Sequence, residues 1–241
     1  TPAATGAADM TLLDDHPATN VEAVREGRGI YENIRKAVHF LLSSNIGEIM
    51  TIFVAMCFGW ATPLLPIQLL WVNLVTDSLP AIALGVDPAD ADSIEQPPRR
   101  ENSLFSDGMV SRIALEGAMI WMLALLAFGI GHIYFDEERA YITGRTMAFA
   151  VLSLSQLIHA FNMRSEHSLF RISPLGNPML LLAFFIGCLM QIGVIMVLPL
   201  AEIFKVCPLN GTEWLNVREL ALNPLPVVEI EKMYERRKKK K

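Results

Sequence analysis

The chain has 241 residues, 52% of them hydrophobic, with a mean hydropathy of +0.37 and a formal net charge of −5. The apolar residues are gathered into long runs, which excludes a soluble domain and predicts an all-α polytopic membrane protein. Three cysteines, two of them (Cys57 and Cys188) inside apolar runs, supply neither a disulfide framework nor a metal-type spacing.

Residues 1–30 are soluble in character. The opening TPAATGAADM has neither the basic start nor the apolar core of a signal peptide, and it reads as the interior of something longer. Asp9 to Leu13 (DMTLL) predicts a short strand, broken by Asp14, Asp15, His16 and Pro17. Thr19 or Asn20 then caps a helix, with Glu22 near its start. Charges at Arg25, Glu26, Arg28, Glu32, Arg35 and Lys36 keep this part in water. The same helix is predicted to run on through two glycines into the first span, so that it is half stalk and half membrane.

The first span covers about 38–58, with Asn45 and Glu48 three residues apart on one face and Gly47 between them. Gly47 lets another backbone approach closely. A short link, Gly59 to Pro66, makes the second span its antiparallel neighbour. That second span, about 66–86, holds the most informative stretch of the chain, LLWVNLVTDSLPAIALG from Leu69 to Gly85. Asn73, Thr76 and Asp77 share a helical face, and Pro80 removes the amide that the Thr76 carbonyl would have bonded. An aspartate near a bilayer centre costs about 2.5–3.5 kcal/mol on insertion scales and needs compensation. Carboxylate, amide, hydroxyl and bare carbonyl oxygens on one kinked helix make half of a hard-cation site. The alternative is a buried polar knot that only locks helices together. Glu48 and Asp77 can face each other across a narrow gap if a cation or protons neutralise them.

A polar loop from Val86 to about Asp107 follows, carrying Arg99 and Arg100. The third span, about 109–133, has Glu116 and Gly117 early in it, and Glu116 is assigned to the interface or to helix packing. An acidic loop, Tyr134 to Gly144, leads to the fourth span, about 145–162, where Gln156, His159 and Asn162 recur at i, i+3, i+6. Such a stripe fits a helix inside a bundle. Gln156 could reach the ion site, while His159 and Asn162 read as structural. The fifth span, about 178–200, is the most apolar, with Gln191 as a helix–helix hydrogen bond. The last span, about 212–230, contains Arg218, Glu219 and two prolines, and the alternative to a crossing is an interfacial helix. The chain ends in six adjacent cations, Arg236 to Lys241, which suit anionic lipid at a cytoplasmic surface or a solvated tail. The distribution of basic residues assigns 1–36, 86–107, 163–176 and 231–241 to the cytoplasm, and six spans with both ends inside satisfy it.

LLSSNIGE in the first span and QLLWVNLVTDSLPAIALG in the second resemble the fifth and sixth membrane helices of P-type cation pumps, most nearly the calcium-transporting branch. GAADMTLLDDHPATNVEAVREGRGIYENIRK resembles the end of the phosphorylation domain and its stalk. DPADADSIEQPPR resembles the following cytoplasmic loop, and RTMAFAVLSLSQLIHAFN the eighth helix. The resemblance implies an α/β remnant of the phosphorylation domain over 1–18, a stalk helix over 19–37, a transport domain over 38–230 and a basic tail over 231–241. It implies Asn45, Glu48, Asn73, Thr76 and Asp77 as ligands of a transported Ca2+, with Asp77 able to bridge two ions. The two-ion pumps have a glutamate where this chain has Gln156, which makes one calcium per cycle the natural expectation. ATP and Mg2+ would be bound by the parts of such a pump that these residues do not contain: the DKTGT aspartate, the nucleotide-binding and actuator domains and four earlier membrane helices. Those parts and membrane lipid are the implied partners, not nucleic acid. A bacterial pump of this kind would lie in the plasma membrane, and this portion alone would not hydrolyse ATP. Rival readings are a pump of the same architecture for Mn2+, Na+ or K+, and a non-catalytic six-helix protein regulating a partner.

Overall fold

The computed structural model describes residues 2–8, 11, 16–88, 104–105, 108–134, 140–165, 167–169 and 173–239. Among the described residues there is no strand. Of the proposed DMTLL strand only Thr11 is described, and Pro2–Ala7 before it is a short helix, α1.

Helix α2 runs unbroken from Pro17 to Cys57, 41 residues and so about 60 Å at 1.5 Å per residue. Its cap is His16, whose Nδ1 accepts the Ala18 amide, rather than Thr19 or Asn20 as expected; Pro17 fills the first-turn position where no amide is needed. The stalk and the first span are therefore one rod. The second span is built from α3 (Pro66–Trp71), a π-helical turn (Val72–Asp77) and α4 (Ser78–Gly85). Gln68 pins its start by accepting the Leu65 amide and donating to the Phe204 carbonyl. Helices α5 (Met109–Ile133) and α6 (Ala140–Asn162) follow. Then come α7 (Pro178–Met196), α8 (Leu198–Phe204), α9 (Gly211–Leu222) and α10 (Pro224–Lys239).

Among the described residues four helical stretches are long and apolar enough to cross a membrane: Ala18–Cys57, Pro66–Gly85, Met109–Ile133 and Pro178–Met196. Their outward faces are apolar, for example Ile49, Phe53, Leu70, Leu74, Phe185 and Leu189, as a lipid-facing surface requires. Helix α6 is less apolar because it is the inner helix. Gln156, His159 and Asn162 are all buried in it, where the polar stripe put them. Gln191 accepts a hydrogen bond from the Trp71 indole, a helix–helix link as expected.

The predicted last span is divided. Helix α9 starts with a reciprocal Asn210–Glu213 cap. It then runs along α6 from the level of Thr146, whose hydroxyl accepts the Cys207 amide, to the level of Asn162, whose amide donates to the Pro224 carbonyl. The chain breaks at Asn223, and α10 carries its charges at the stalk end of the bundle. Pro224 and Pro226 lack the amides that would continue the α9 ladder.

Helix α5 packs along both α2 and α6 through glycines. A Cβ on Gly47 would stand 2.5 Å from the Ile120 side chain, and one on Gly117 2.7 Å from that of Ile46. A Cβ on Gly131 would stand 2.6 Å from the Cα of Gly144. Backbone cannot move aside as a side chain can, so Gly131→Ala is expected to cost about 1–3 kcal/mol by overpacking. The check is the thermal midpoint of the complete protein, with Gly129→Ala, which meets nothing within 4 Å, as the control that loses none.

Candidate cation-binding site

The site lies where α2, the π-turn and α6 meet. Glu48 is 4% exposed and accepts two side-chain hydrogen bonds, from Asn73 Nδ2 at 2.7 Å and from Gln156 Nε2 at 3.3 Å. Thus one carboxylate from α2 is joined to an amide of the π-turn and an amide of α6. Asp77 is fully buried and close enough to Glu48 for their charges to interact. Among the described residues neither of its carboxylate oxygens has a hydrogen-bond partner, and Gln156 Oε1 is likewise buried without one.

The other predicted residues are placed less centrally. Thr76 is buried and its hydroxyl donates to the Val72 carbonyl at 3.0 Å, leaving its oxygen able to accept. Asn45 is half-buried, and its amide nitrogen donates to the Leu41 carbonyl at 2.7 Å. Its oxygen is thereby turned away from its own helix, but no contact joins it to Glu48, Asn73 or Gln156. The structure brings together Glu48, Asn73, Asp77 and Gln156, with Thr76 beside Asp77 in the chain.

Sequence reasoning located the distortion at Pro80; the structure spreads it one turn earlier, over Val72–Asp77. A π-turn inserts an extra residue per turn and swings Asn73 and Asp77 relative to a regular helix. Ser78 fastens it by donating from its hydroxyl to the Asn73 carbonyl at 2.8 Å. Pro80 has no amide to close the last regular bond, which is the signal in the sequence for this irregularity. Wide turns of this kind are tolerated at membrane depth where they are buried in protein.

Among the described residues no group of three or more His, Cys, Asp and Glu side chains stands close enough to hold a metal ion. The donor set is mixed instead: two carboxylates, amides and a hydroxyl, all oxygen-bearing. Such oxygens suit a hard cation such as Ca2+ rather than a thiolate- or imidazole-seeking metal.

Two clusters outside this site escaped the sequence reading. Asp87, at the end of the second span, is 6% exposed and gathers Lys36, Arg164 and Asn177. Glu116, assigned to the interface or to helix packing, stands buried between His39 and His159. The periodicity of each helix shows these residues facing inward but cannot say what they meet.

Residues 61–234 match the family described as "Cation transporting ATPase, C-terminus". The chain is 46% identical over 248 aligned residues to "Calcium-transporting ATPase 1" of Bacillus cereus (strain ATCC 10987 / NRS 248), an alignment covering 97% of this chain and 28% of that protein. It is 41% identical over 219 residues to "Calcium-transporting ATPase" of Bacillus subtilis (strain 168), covering 90% of this chain and 24% of that protein. The chain thus spans about a quarter of the length of these relatives. With a helical bundle of apolar outer face and a buried oxygen-rich site between its helices, the chain belongs to the family of cation transporting ATPase C-terminal domains.

Proposed function

We propose that this chain is the ion-binding membrane domain of an ATP-driven cation pump that moves Ca2+ out of the cytoplasm through a phosphoenzyme cycle. The observation that carries the reading is the buried pair Glu48 and Asp77, the former held by amides of two helices and the latter with both oxygens unpartnered among the described residues. A purely structural knot would satisfy those oxygens with donors. Here they are held ready for a ligand that arrives.

In this state the amide nitrogens of Asn73 and Gln156 donate to Glu48, as a cation would attract it. Half a turn of each amide presents its oxygen instead, adding two neutral ligands to the two carboxylates. When the ion leaves, protons take its place on the carboxylates. Ligands from α2 and from the π-turn move relative to each other if the stalk of α2 is displaced, because α2 is one rod from Pro17 to Cys57. Phosphorylation elsewhere in the complete protein supplies that displacement, and alternating access follows from two positions of one helix. The remaining crossings, formed by α6 and by the bent stretch of α9 with the start of α10, complete six spans with both chain ends in the cytoplasm. With a glutamine at position 156, the site has two carboxylates for one calcium per cycle.

The test is ATP hydrolysis by the purified complete protein, titrated with Ca2+ and then with Mn2+, Na+ and K+. Activation by micromolar Ca2+ is expected. Activation by another ion alone keeps the pump and replaces its substrate, and no response to any cation in a protein that still phosphorylates removes the ion site.

A further inference from the structure

We propose that the outward face of α10 is a docking surface for anionic phospholipid, with its apolar residues at the boundary of acyl chains and headgroups and its cations on the lipid phosphates. Ile230, Met233 and Tyr234 share one face of the helix and are 61%, 51% and 71% exposed. Arg237, also exposed, follows on that face at the next turn. The packed side of α10 is the charged one. Glu229 accepts from the Ser168 hydroxyl at 2.7 Å and from the Leu169 amide at 2.6 Å. Lys232 Nζ donates to the Asn162 carbonyl at 2.7 Å and to the His167 carbonyl at 3.3 Å. Glu235 pairs with Arg112 of α5, and Arg236 Nε donates to the Lys232 carbonyl.

A helix bordering water does the reverse, burying its apolar stripe and leaving its charges outside. The outer side of α10 is therefore built to meet something apolar. Depth decides what that is. Lys232 reaches the last residue of α6, and Glu235 reaches Arg112, one turn into the membrane-spanning length of α5. The middle of α10 thus stands level with the ends of two bundle helices and does not project beyond them. At that level a membrane domain is surrounded by headgroups and the first methylenes of the chains. A tyrosine, with an apolar ring and a polar tip, suits the same boundary. A protein partner covering the stripe would have to descend among the headgroups to reach it.

Charge then selects among lipids. Six consecutive cations run from Arg236 to Lys241 without an acidic residue among them. Arg236 is engaged with the Lys232 carbonyl, whereas Arg237 is exposed one turn beyond Met233. Each cation beside an anionic membrane surface strengthens attachment by about fivefold, a gain that a zwitterionic surface does not offer. Lipid seated there holds α10 in place, and α10 in turn braces the start of α5 through Glu235 and the end of α6 through Lys232. The surface depends on the bundle lying in a membrane and not on which ion is carried.

The experiment places the complete protein in vesicles of phosphatidylcholine and phosphatidylglycerol in equal parts, with brominated chains on one lipid or the other. Tyr234→Trp adds an indole to the stripe, and its emission is read as the difference from the unaltered protein. Both brominated lipids are expected to quench it. At low salt phosphatidylglycerol should be preferred over phosphatidylcholine by about fivefold or more. That preference should fall toward one in about 1 M salt, where charges are screened beyond about 3 Å. It should fall likewise when Arg237 and Lys238 to Lys241 are all changed to glutamine. An added indole that neither lipid quenches would overturn the proposal, because protein would then cover the stripe. Equal quenching by the two lipids at low salt would overturn it too, as would a preference that survives loss of the five cations. Should Tyr234→Trp fail to fold, Met233→Trp gives the same reading. Neither calcium nor ATP enters the measurement, so its outcome is independent of the pump's substrate.

Discussion

Replacing Asp77 by asparagine in the complete protein is expected to raise the calcium concentration for half-maximal ATPase activation by about a hundredfold or more. The proposed site would oppose a divalent ion with two carboxylates, Glu48 and Asp77, and this change removes one of them. Taking away one partner of a buried charge pair costs about 3–5 kcal/mol, and each 1.4 kcal/mol is tenfold in affinity. Asparagine is nearly isosteric, so the loss is of charge rather than of shape. Glu48→Gln is expected to follow closely, although its surroundings give it two donors already, from Asn73 and Gln156. Asn45→Ala is expected to matter least of the proposed ligands, since its side chain is half-buried and its nitrogen is held by the Leu41 carbonyl. The measurement is calcium binding at equilibrium together with calcium-activated hydrolysis. Unchanged calcium affinity in both Glu48→Gln and Asp77→Asn would show that these carboxylates do not hold the ion.

How much of this was legible beforehand depended on whether the signal lay along one helix or between several. The continuity of α2 was readable because its charges give way to apolar residues without a breaker, and two glycines alone do not end a helix. The inward face of α6 was readable from the spacing of Gln156, His159 and Asn162. The pairing of Glu48 with Asp77 followed from depth, since a short link sets two spans antiparallel with their polar residues level. Other features depended on registers that no single helix displays. The π-turn at Val72–Asp77 needs both the missing amide of Pro80 and the Ser78 bond to the Asn73 carbonyl. The break between α9 and α10 had its warning in Pro224 and Pro226, yet the placement of the basic tail with the other basic loops carried the span across it. Glu116 looked like an isolated carboxylate because its two histidines are far away in the chain. Asp87 sat next to Pro88 at the edge of a polar loop, the usual place of a solvated side chain.

That misleading position makes Asp87 the second residue whose loss should be severe. Its carboxylate accepts from Arg164 Nε at 3.2 Å, from Lys36 Nζ at 3.2 Å and from Asn177 Nδ2 at 2.8 Å, while its carbonyl accepts from Asn33 Nδ2 at 2.6 Å. Asn177 also donates to the Ala83 carbonyl and caps α7 through the Leu180 amide. The stalk half of α2, the end of α4, the end of α6 and the start of α7 therefore converge on one anion. Asp87→Ala would strand the cations of Lys36 and Arg164, whose side chains are only 12% and 6% exposed. An uncompensated buried charge puts the cost at about 3–5 kcal/mol. Asp87→Asn keeps the size and one accepting oxygen but not the charge, so it is expected to be destabilised nearly as much. A surface pair would behave otherwise, losing no more than about 1 kcal/mol in either variant. The thermal midpoint of the complete protein separates the two cases. Calcium taken up per ATP hydrolysed adds a second reading: a stalk no longer tied to α4 and α7 would shift without carrying Asn73 and Asp77 with it, so the ratio should fall in Asp87→Asn even where hydrolysis persists. A stable Asp87→Ala protein with an unchanged ratio would mean that the rod at α2 acts on the site without this clamp.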